Sequence, residues 1–451
     1  MLKDTLSTAE KQVSQEQSWQ IKKLGVQFLT PWLKKLDKKL DHRLLNTLVD
    51  LVITIVVHRE RHQGLVMSEL GGELMGAAHA PAGVKRISNL LHSKRWQAQD
   101  IEEELWQQAD HQVERLNHSG DEVLAIWDDS EEEKPESLQA EGLCPVRSSK
   151  AARLKRIKPG FFNPPGGRPI FVPGFHWIQL IVVGMKRAPH LAHMHWWTTR
   201  GERASDKRRE EATLLKRVAQ AWASWVVHVF DQGYAGSPWV LKLLSFPGLR
   251  FVVRWKKGYK LVGRDGEAKL AWKLLRGKRS MDHREIWDAR RRSRRTVGIV
   301  YCPVSLPENS HPLWLVASRP GPGRKPWYLL TNLPIHSVEE AWHIVFIYAR
   351  RWQVEMTLRF EKSELGFESP RLQDWEARCK LLFIAALVHA FLILLLEPHF
   401  DRLRLWLLDT WCHRNGKWSR ETPTPLYRLR LALSQLWRAF PPSYPPLLNS
   451  G

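Results

Sequence analysis

The sequence predicts an α/β protein: one mixed sheet covered by helices, preceded and followed by helical regions. Three observations predict it. Residues up to about 118 carry helical apolar spacing. From residue 122, short apolar runs alternate with amphipathic stretches in the order three strands, helix, strand, helix, strand. A long amphipathic stretch, SVEEAWHIVFIYARRWQVEMTLRFEKSELGF, then leads into an apolar helix.

The elements follow in order. VQFLTPWLKKLDKKLDHRLLNTLVDLVITIVVH has the apolar spacing of helices. APAGVKRISNLLHSKRW reads as a turn broken by Gly and Pro, then a short basic helix on which Arg86, Lys94 and Arg95 face either phosphate groups or solvent. EVLAIWDD is an apolar run of strand length whose alternation ends at the acid Asp128. KPGFFNPPGGRPIFVPG reads as a loop, and FHWIQLIVVGM and HLAHMHWWTT as the next two strands. SDKRREEATLLKRVAQAWAS is an amphipathic helix with Ser205 as its expected N-cap. WVVHVFD is a fourth strand ending in acid at Asp231, SPWVLKLLSF a short helix and LRFVVRW a fifth strand. Residues 257 to about 330 break the rhythm with Arg, Lys and turn residues around strand-like pieces such as TVGIVYCPV and PLWLVAS. The stretch from Ser337 is expected to be one long helix, with Ser337 and Glu340 at the spacing of a capping box. LLFIAALVHAFLILLL, 381–396, is short for a membrane span and contains His389, so a buried helix is expected and no membrane partner.

Charge narrows the partners. The chain has 451 residues and a formal net charge of +22, which favours polyanions such as nucleic acid, or anionic membrane surfaces. Residues 241–300 hold 18 Lys plus Arg against 5 Asp plus Glu, so +13 of the +22 is concentrated there. That points to a dedicated polyanion-contacting segment. Most of the 23 tryptophans are expected to be core anchors, leaving a few to stack on bases. Cys144, Cys302, Cys379 and Cys412 form no C-x-x-C pair, so neither a zinc site nor a disulfide framework is expected. A reduced, cytoplasmic compartment fits, and MLKDTLSTAEKQ has no apolar signal core.

Tyr348, Arg351, Glu355 and Lys362, placed on one helix, fall within an arc of roughly 60° at about 100° per residue. A salt-bridged surface stripe gives the same pattern. The two strand-end aspartates reverse the balance, because strand ends present side chains rigidly in a crevice. Asp128, Asp231 and Glu355 together make an all-oxygen set suited to Mg²⁺ or Mn²⁺. Two such ions about 4 Å apart activate the attacking oxygen and stabilise the leaving oxygen of a phosphodiester. Arg351 and Lys362 are then placed to hold neighbouring phosphates.

The pattern Tyr-x2-Arg-x3-Glu-x6-Lys resembles the YREK signature of bacterial insertion-sequence DDE transposases, cut-and-paste enzymes with a ribonuclease-H-like core. The resemblance runs from about residue 120 to 370, through AIWDDS, HWW, VFDQGYA, FVVRWKK and WYLLTNLPIHSVEEA. It implies that Asp128, Asp231 and Glu355 are the metal-binding catalytic triad, holding two Mg²⁺ or Mn²⁺ ions. Asp129 is the alternative first ligand. It implies that Arg351 and Lys362 contact phosphate, that Tyr348 contacts phosphate or packs, and that Arg254 belongs to the DNA-binding set. Trp327, in KPWYLLTN, resembles the aromatic that stacks on a flipped base during hairpin formation. The implied partners are double-stranded DNA, both element ends and target, and a second copy in a homodimeric synaptic complex.

The expected organisation is a helical DNA-binding region over 1–118, a ribonuclease-H-like core over 119–256 and 331–378, a basic β-rich insertion over 257–330 and a helical C-terminal region over 379–451. Two rival readings use the same residues: a structure-specific endonuclease on this fold, and a catalytically inactive DNA-binding element remnant.

Overall fold

The structure, a computed structural model, describes residues 6–58, 64–137, 139–148, 170–288, 293–321, 323–412 and 426–442. Helical spacing at the N-terminal end gives α1 (Thr8–Asp37), α2 (His42–Val57), α3 (Met67–Met75), α4 (Ala80–Leu91) and α5 (Ala98–His118). The sheet begins with β1 (Val123–Glu133), β2 (Cys144–Arg147), β3 (Phe171–Gly184) and β4 (His190–Trp197). Then come α6 (Lys207–Trp222), β5 (Val226–Phe230), α7 (Ser237–Leu244) and β6 (Arg250–Arg254).

β3 lies antiparallel to both β1 and β4, while β5 runs parallel to β1 and β6 parallel to β5. The order β4-β3-β1-β5-β6 is that of a ribonuclease-H-like core, and this is the fold of the chain.

The basic stretch extends this sheet. β7 (Lys260–Val262), β8 (Ala268–Leu270), a turn of helix α8 (Ala271–Leu275), β9 (Asp282–Asp288), β10 (Ser293–Leu306) and β11 (Asn309–Arg319) lead to β12 (Trp327–Thr331). β12 pairs with both β11 and β6, so the inserted strands are hydrogen-bonded to the core ladder. TVGIVYCPV and PLWLVAS therefore lie within two long antiparallel neighbours, β10 and β11. Residues 289–292, within the most arginine-rich run, and most of the KPGFFNPPGGRPIFVPG stretch lie outside the described residues.

The two faces of the sheet have separate cores. Val123, Ala125 and Trp127 pack with Leu214 and Val218 of α6 and Trp239 and Leu243 of α7. Leu124 and Ile126 belong to the opposite core, with α9 (Val338–Ala349), α10 (Trp352–Ser363) and α11 (Trp375–Leu394). α11 packs on α2, α4 and α5, and on α13 (Leu426–Ala439) beyond α12 (Asp401–Trp411). α11 is long and apolar enough to cross a membrane, but it is enclosed by these helices, with Arg378, Lys380 and His389 buried along it.

Several expectations need correcting. β1 does not end at Asp128; it continues to Glu133, because Asp129–Glu133 keep pairing with Gly174–Ile178. The acids at its far end are matched locally: Ser148 Oγ donates to Glu133 at 2.8 Å, and Lys134 lies 3.1 Å from Glu132. The single long helix is two, α9 and α10. The Arg350 guanidinium donates to the carbonyls of Gly184 at 2.9 Å and Arg187 at 2.6 Å, fixing the chain where the break occurs. Ser337 and Glu340 do form the capping box. Asp206, not Ser205, caps α6, accepting from the amides of Arg208 and Arg209.

Gly83 is not a breaker. It lies within α4 where α4 crosses α3, and a Cβ there would stand 2.2 Å from the Gly71 carbonyl oxygen. Arg86 is held by Asp50 at 2.6 Å and Thr47 at 2.9 Å, which occupies the side chain expected to face phosphate or solvent. Lys94 and Arg95 are exposed but follow the end of α4.

Candidate active site

β1 and β5 are parallel and pair through Ile126 and Val229. Two residues further, the same register sets Asp128 beside Asp231, on the face covered by α9 and α10. Burial, then the charge of Asp231, pushes the Asp128 carboxyl up to about 7, with Arg351 opposing the rise. Asp231 directly follows β5 and caps the short turn Gln232–Tyr234, its Oδ1 accepting from the Gly233 amide at 2.6 Å. That bond fixes the carboxylate at the C-terminal edge of the sheet.

Asp129 points to the other face. Its carboxylate lies 2.7 Å from Lys207 Nζ, near Tyr234 and Glu211. The alternation of the strand thus separates two adjacent acids, one towards Arg351 and one towards a lysine of α6.

The break between α9 and α10 sets Arg351 at the start of α10. Its Nη1 is 3.8 Å from Asp128 Oδ2, and the same guanidinium is paired with Glu355 one turn on. Glu355 is one-third exposed, so its side chain retains room to turn. Tyr348, at the end of α9, is buried with its ring 5.0 Å edge-on to Trp327, the first residue of β12. Burial pushes the Tyr348 phenol up, and Arg351 and Arg254 pull it back, which places Arg254 in the same cluster.

Lys362 takes a different neighbourhood. Its ammonium donates to the Glu131 carbonyl at 2.5 Å and lies 3.3 Å from Glu368, further along β1 from Asp128. The structure therefore gathers Asp128, Asp231, Arg351, Glu355, Tyr348, Trp327 and Arg254, and ties Lys362 to protein groups two helical turns along α10.

Among the described residues, no three His, Cys, Asp or Glu side chains converge as a cation cage. The donor set nevertheless suits a hard divalent ion. Asp128 and Asp231 are adjoining carboxylates whose mutual repulsion a cation would relieve, and Glu355 is linked to Asp128 through Arg351, which pairs with both.

A groove of about 800 Å³ opens beyond Asp231, at the N-terminal end of α7. Arg208, Lys242 and Lys260 line it, with Tyr259 and one acid, Glu308. It carries part of the positive charge concentrated in residues 241–300 over the C-terminal edge of the sheet.

One group in the site's support was not visible in the sequence. Gln179 pairs with Asp128 across β1 and β3, and its amide donates to Glu361 of α10, which also meets His389 of α11. The only signal was a glutamine and a histidine within otherwise apolar stretches.

Residues 184–391 match the family model described as the transposase DDE domain. That span, 208 of the 451 residues, is similar to a transposase DDE domain. The enzyme class is accordingly that of the DDE transposases. The matched span holds Asp231, Glu355 and the whole of α9 and α10, and starts after Asp128. No curated protein matches the sequence. Among solved structures, the transposase is similar to the chain described as "Cryo-EM structure of piggyBac transposase synaptic complex with hairpin DNA (SNHP)". That similarity has 13% identity, covers 88% of this chain and 72% of the other, and has a TM-score of 0.42.

Proposed function

We propose that this DDE transposase belongs to the hairpin-forming, cut-and-paste class. It binds the terminal inverted repeats of its own element, pairs the two ends in a homodimer and acts in the bacterial cytoplasm. The observation that carries the reading is the pair of in-register carboxylates, Asp128 and Asp231, facing the helix that bears Arg351 and Glu355.

In this reading Asp128, Asp231 and Glu355 hold divalent cations, Mg²⁺ or Mn²⁺. When bound, two such ions supply Lewis acidity to the attacking and leaving oxygens of a phosphodiester. Arg351 releases Glu355 to that role and turns its guanidinium to the scissile phosphate, where it offers a planar pair of donors. Arg254 contacts the adjoining phosphate. Lys362 exchanges Glu368 for a phosphate further along the strand. Trp327, backed edge-on by Tyr348, offers a face to the base displaced when the freed 3′-OH attacks the opposite strand. The same hydroxyl, regenerated on hairpin opening, joins target DNA. The groove beyond Asp231 carries the flanking backbone.

The test is cleavage of labelled element-end DNA with Mg²⁺ or Mn²⁺. Asp128→Asn, Asp231→Asn and Glu355→Gln should each abolish cleavage and keep end binding, while Asp129→Asn should still cleave. Nicking without hairpins or joined products would instead favour a structure-specific endonuclease, and end binding without any cleavage an inactive remnant.

A further inference from the structure

The face of the sheet that carries Asp128 also contains a buried polar cluster that the proposed chemistry does not use. Gln179 on β3, Glu361 on α10 and His389 on α11 are all fully buried. Gln179 Nε2 donates to both carboxylate oxygens of Glu361, at 3.0 and 2.9 Å, and His389 Nδ1 stands 2.8 Å from Oε1. The Phe360 ring lies 5.1 Å from the imidazole and closes that side.

The placement of these residues is specific. Gln179 is the cross-strand partner of Asp128, so their side chains leave the same face of neighbouring strands. Glu361 lies six residues after Glu355 on α10. At about 100° per residue, it points roughly 120° away from Glu355, inward where Glu355 is partly exposed. The carboxylate of Glu361 therefore sets the rotation of α10 about its own axis. Turning the helix would move Glu355 and pull Glu361 off the amide at the same time. His389 holds the same carboxylate from the third side, fixing the height of α10 between sheet and α11.

A buried polar cluster is a poor way to gain stability, since well-packed apolar groups of similar volume do at least as well. Its advantage is geometric, because hydrogen bonds have preferred directions and lengths that an apolar contact lacks. We infer that Glu361 is a positioning residue: through Gln179 and His389 it fixes the helix bearing Glu355 against the strand residue opposite Asp128. The inference rests on the reading of Asp128 and Glu355 as catalytic carboxylates. It assigns Glu361 no contact with DNA or cation.

The experiment compares Glu361→Gln with the combined variant Gln179→Met, Glu361→Met and His389→Met. Four quantities are read: the urea unfolding midpoint, end binding without divalent ions, cleavage at saturating DNA, and direct Mn²⁺ binding to the protein by calorimetry. The combined variant should stay folded and bind ends as the wild type does. Its cleavage should fall at least tenfold, and its Mn²⁺ dissociation constant should rise by a similar factor. Glu361→Gln, which keeps the shape and a hydrogen-bonding oxygen, should recover most of both.

A folded combined variant that cleaves within twofold of wild type and binds Mn²⁺ equally well would overturn the inference. If it does not fold, Gln179→Leu and His389→Leu, each removing one partner of Glu361, are judged singly. Wild-type cleavage and Mn²⁺ binding in both would equally overturn it. Cleavage by Glu355→Gln would overturn the catalytic reading together with this one. Loss of cleavage in Glu355→Gln beside a normal combined variant would overturn this one alone.

Discussion

Arg351 and Asp128 stand 3.8 Å apart across the junction of α10 and the central strand, and the same guanidinium is paired with Glu355. One cation thus holds two carboxylates of like charge near each other. Its removal should be felt in cleavage before stability. Arg351→Gln loses charge-assisted bonds worth about 1.5–3 kcal/mol, so cleavage of end DNA should fall roughly tenfold to a hundredfold. The unfolding midpoint should move little. Arg351→Lys keeps the charge and loses the planar fork, and should fall in between. Equal cleavage by all three proteins would remove Arg351 from the site.

Half-buried Trp327 and buried Tyr348 form an edge-to-face pair beside the carboxylates. A stacking platform for one base is worth about 1–3 kcal/mol. Trp327→Ala should therefore nick the first strand and accumulate nicked DNA, with hairpin formation slowed about tenfold or more. Parallel loss of nicking, binding and thermal stability would make Trp327 a packing residue.

His228 is fully buried in β5 and accepts the Trp127 indole N–H on Nδ1 at 3.1 Å. Burial, then the charge of Arg250, depresses its pKa to about 3. The unfolded chain binds this proton near pH 6.5, so the unfolded state holds more protons below that pH. Stability from neutral His228 is full above pH 6.5 and is lost as pH falls towards 3, by about 1.4 kcal/mol per unit. Urea midpoints at pH 7.5 and 5 should differ accordingly. His228→Asn, which keeps an acceptor and does not titrate, should flatten the difference. An unchanged pH dependence would discount His228.

The contact of α3 with α4 at Gly71 and Gly83 leaves no room for a methyl group. Gly83→Ala should destabilise the protein by about 1–3 kcal/mol, the usual cost of overpacking. Gly72→Ala is the control, since its Cβ would meet the Ala80 Cβ at an ordinary 3.6 Å. It should be neutral or slightly stabilising through helix propensity. Similar denaturation curves for both variants would show that the helices simply move apart.

Much of the fold and site was legible because the governing interactions are local. The capping box at Ser337 needs a residue only three positions away, and the run before Asp231, VVHVF, is apolar but for His228. Where the deciding partner is remote, the sequence is silent. The acids at the end of β1 stay in the ladder because β3 pairs with them across a long connection. The break at Arg350 has no Gly or Pro to announce it, and arises from carbonyls at the end of β3. Glu361 looks like one more surface acid until Gln179 and His389 are brought to it.

The enclosure of α11 by α2, α4 and α5 also bears on synthesis. The first five helices end at His118, but the helix that covers their apolar faces is complete only at Leu394. At about 5–20 residues per second, that interval is on the order of 14–55 s of translation. For that time the nascent chain carries an uncovered greasy surface outside the ribosome. Ribosome-associated chaperones should therefore engage this polypeptide early and let go late, and messages truncated before α11 should yield insoluble product.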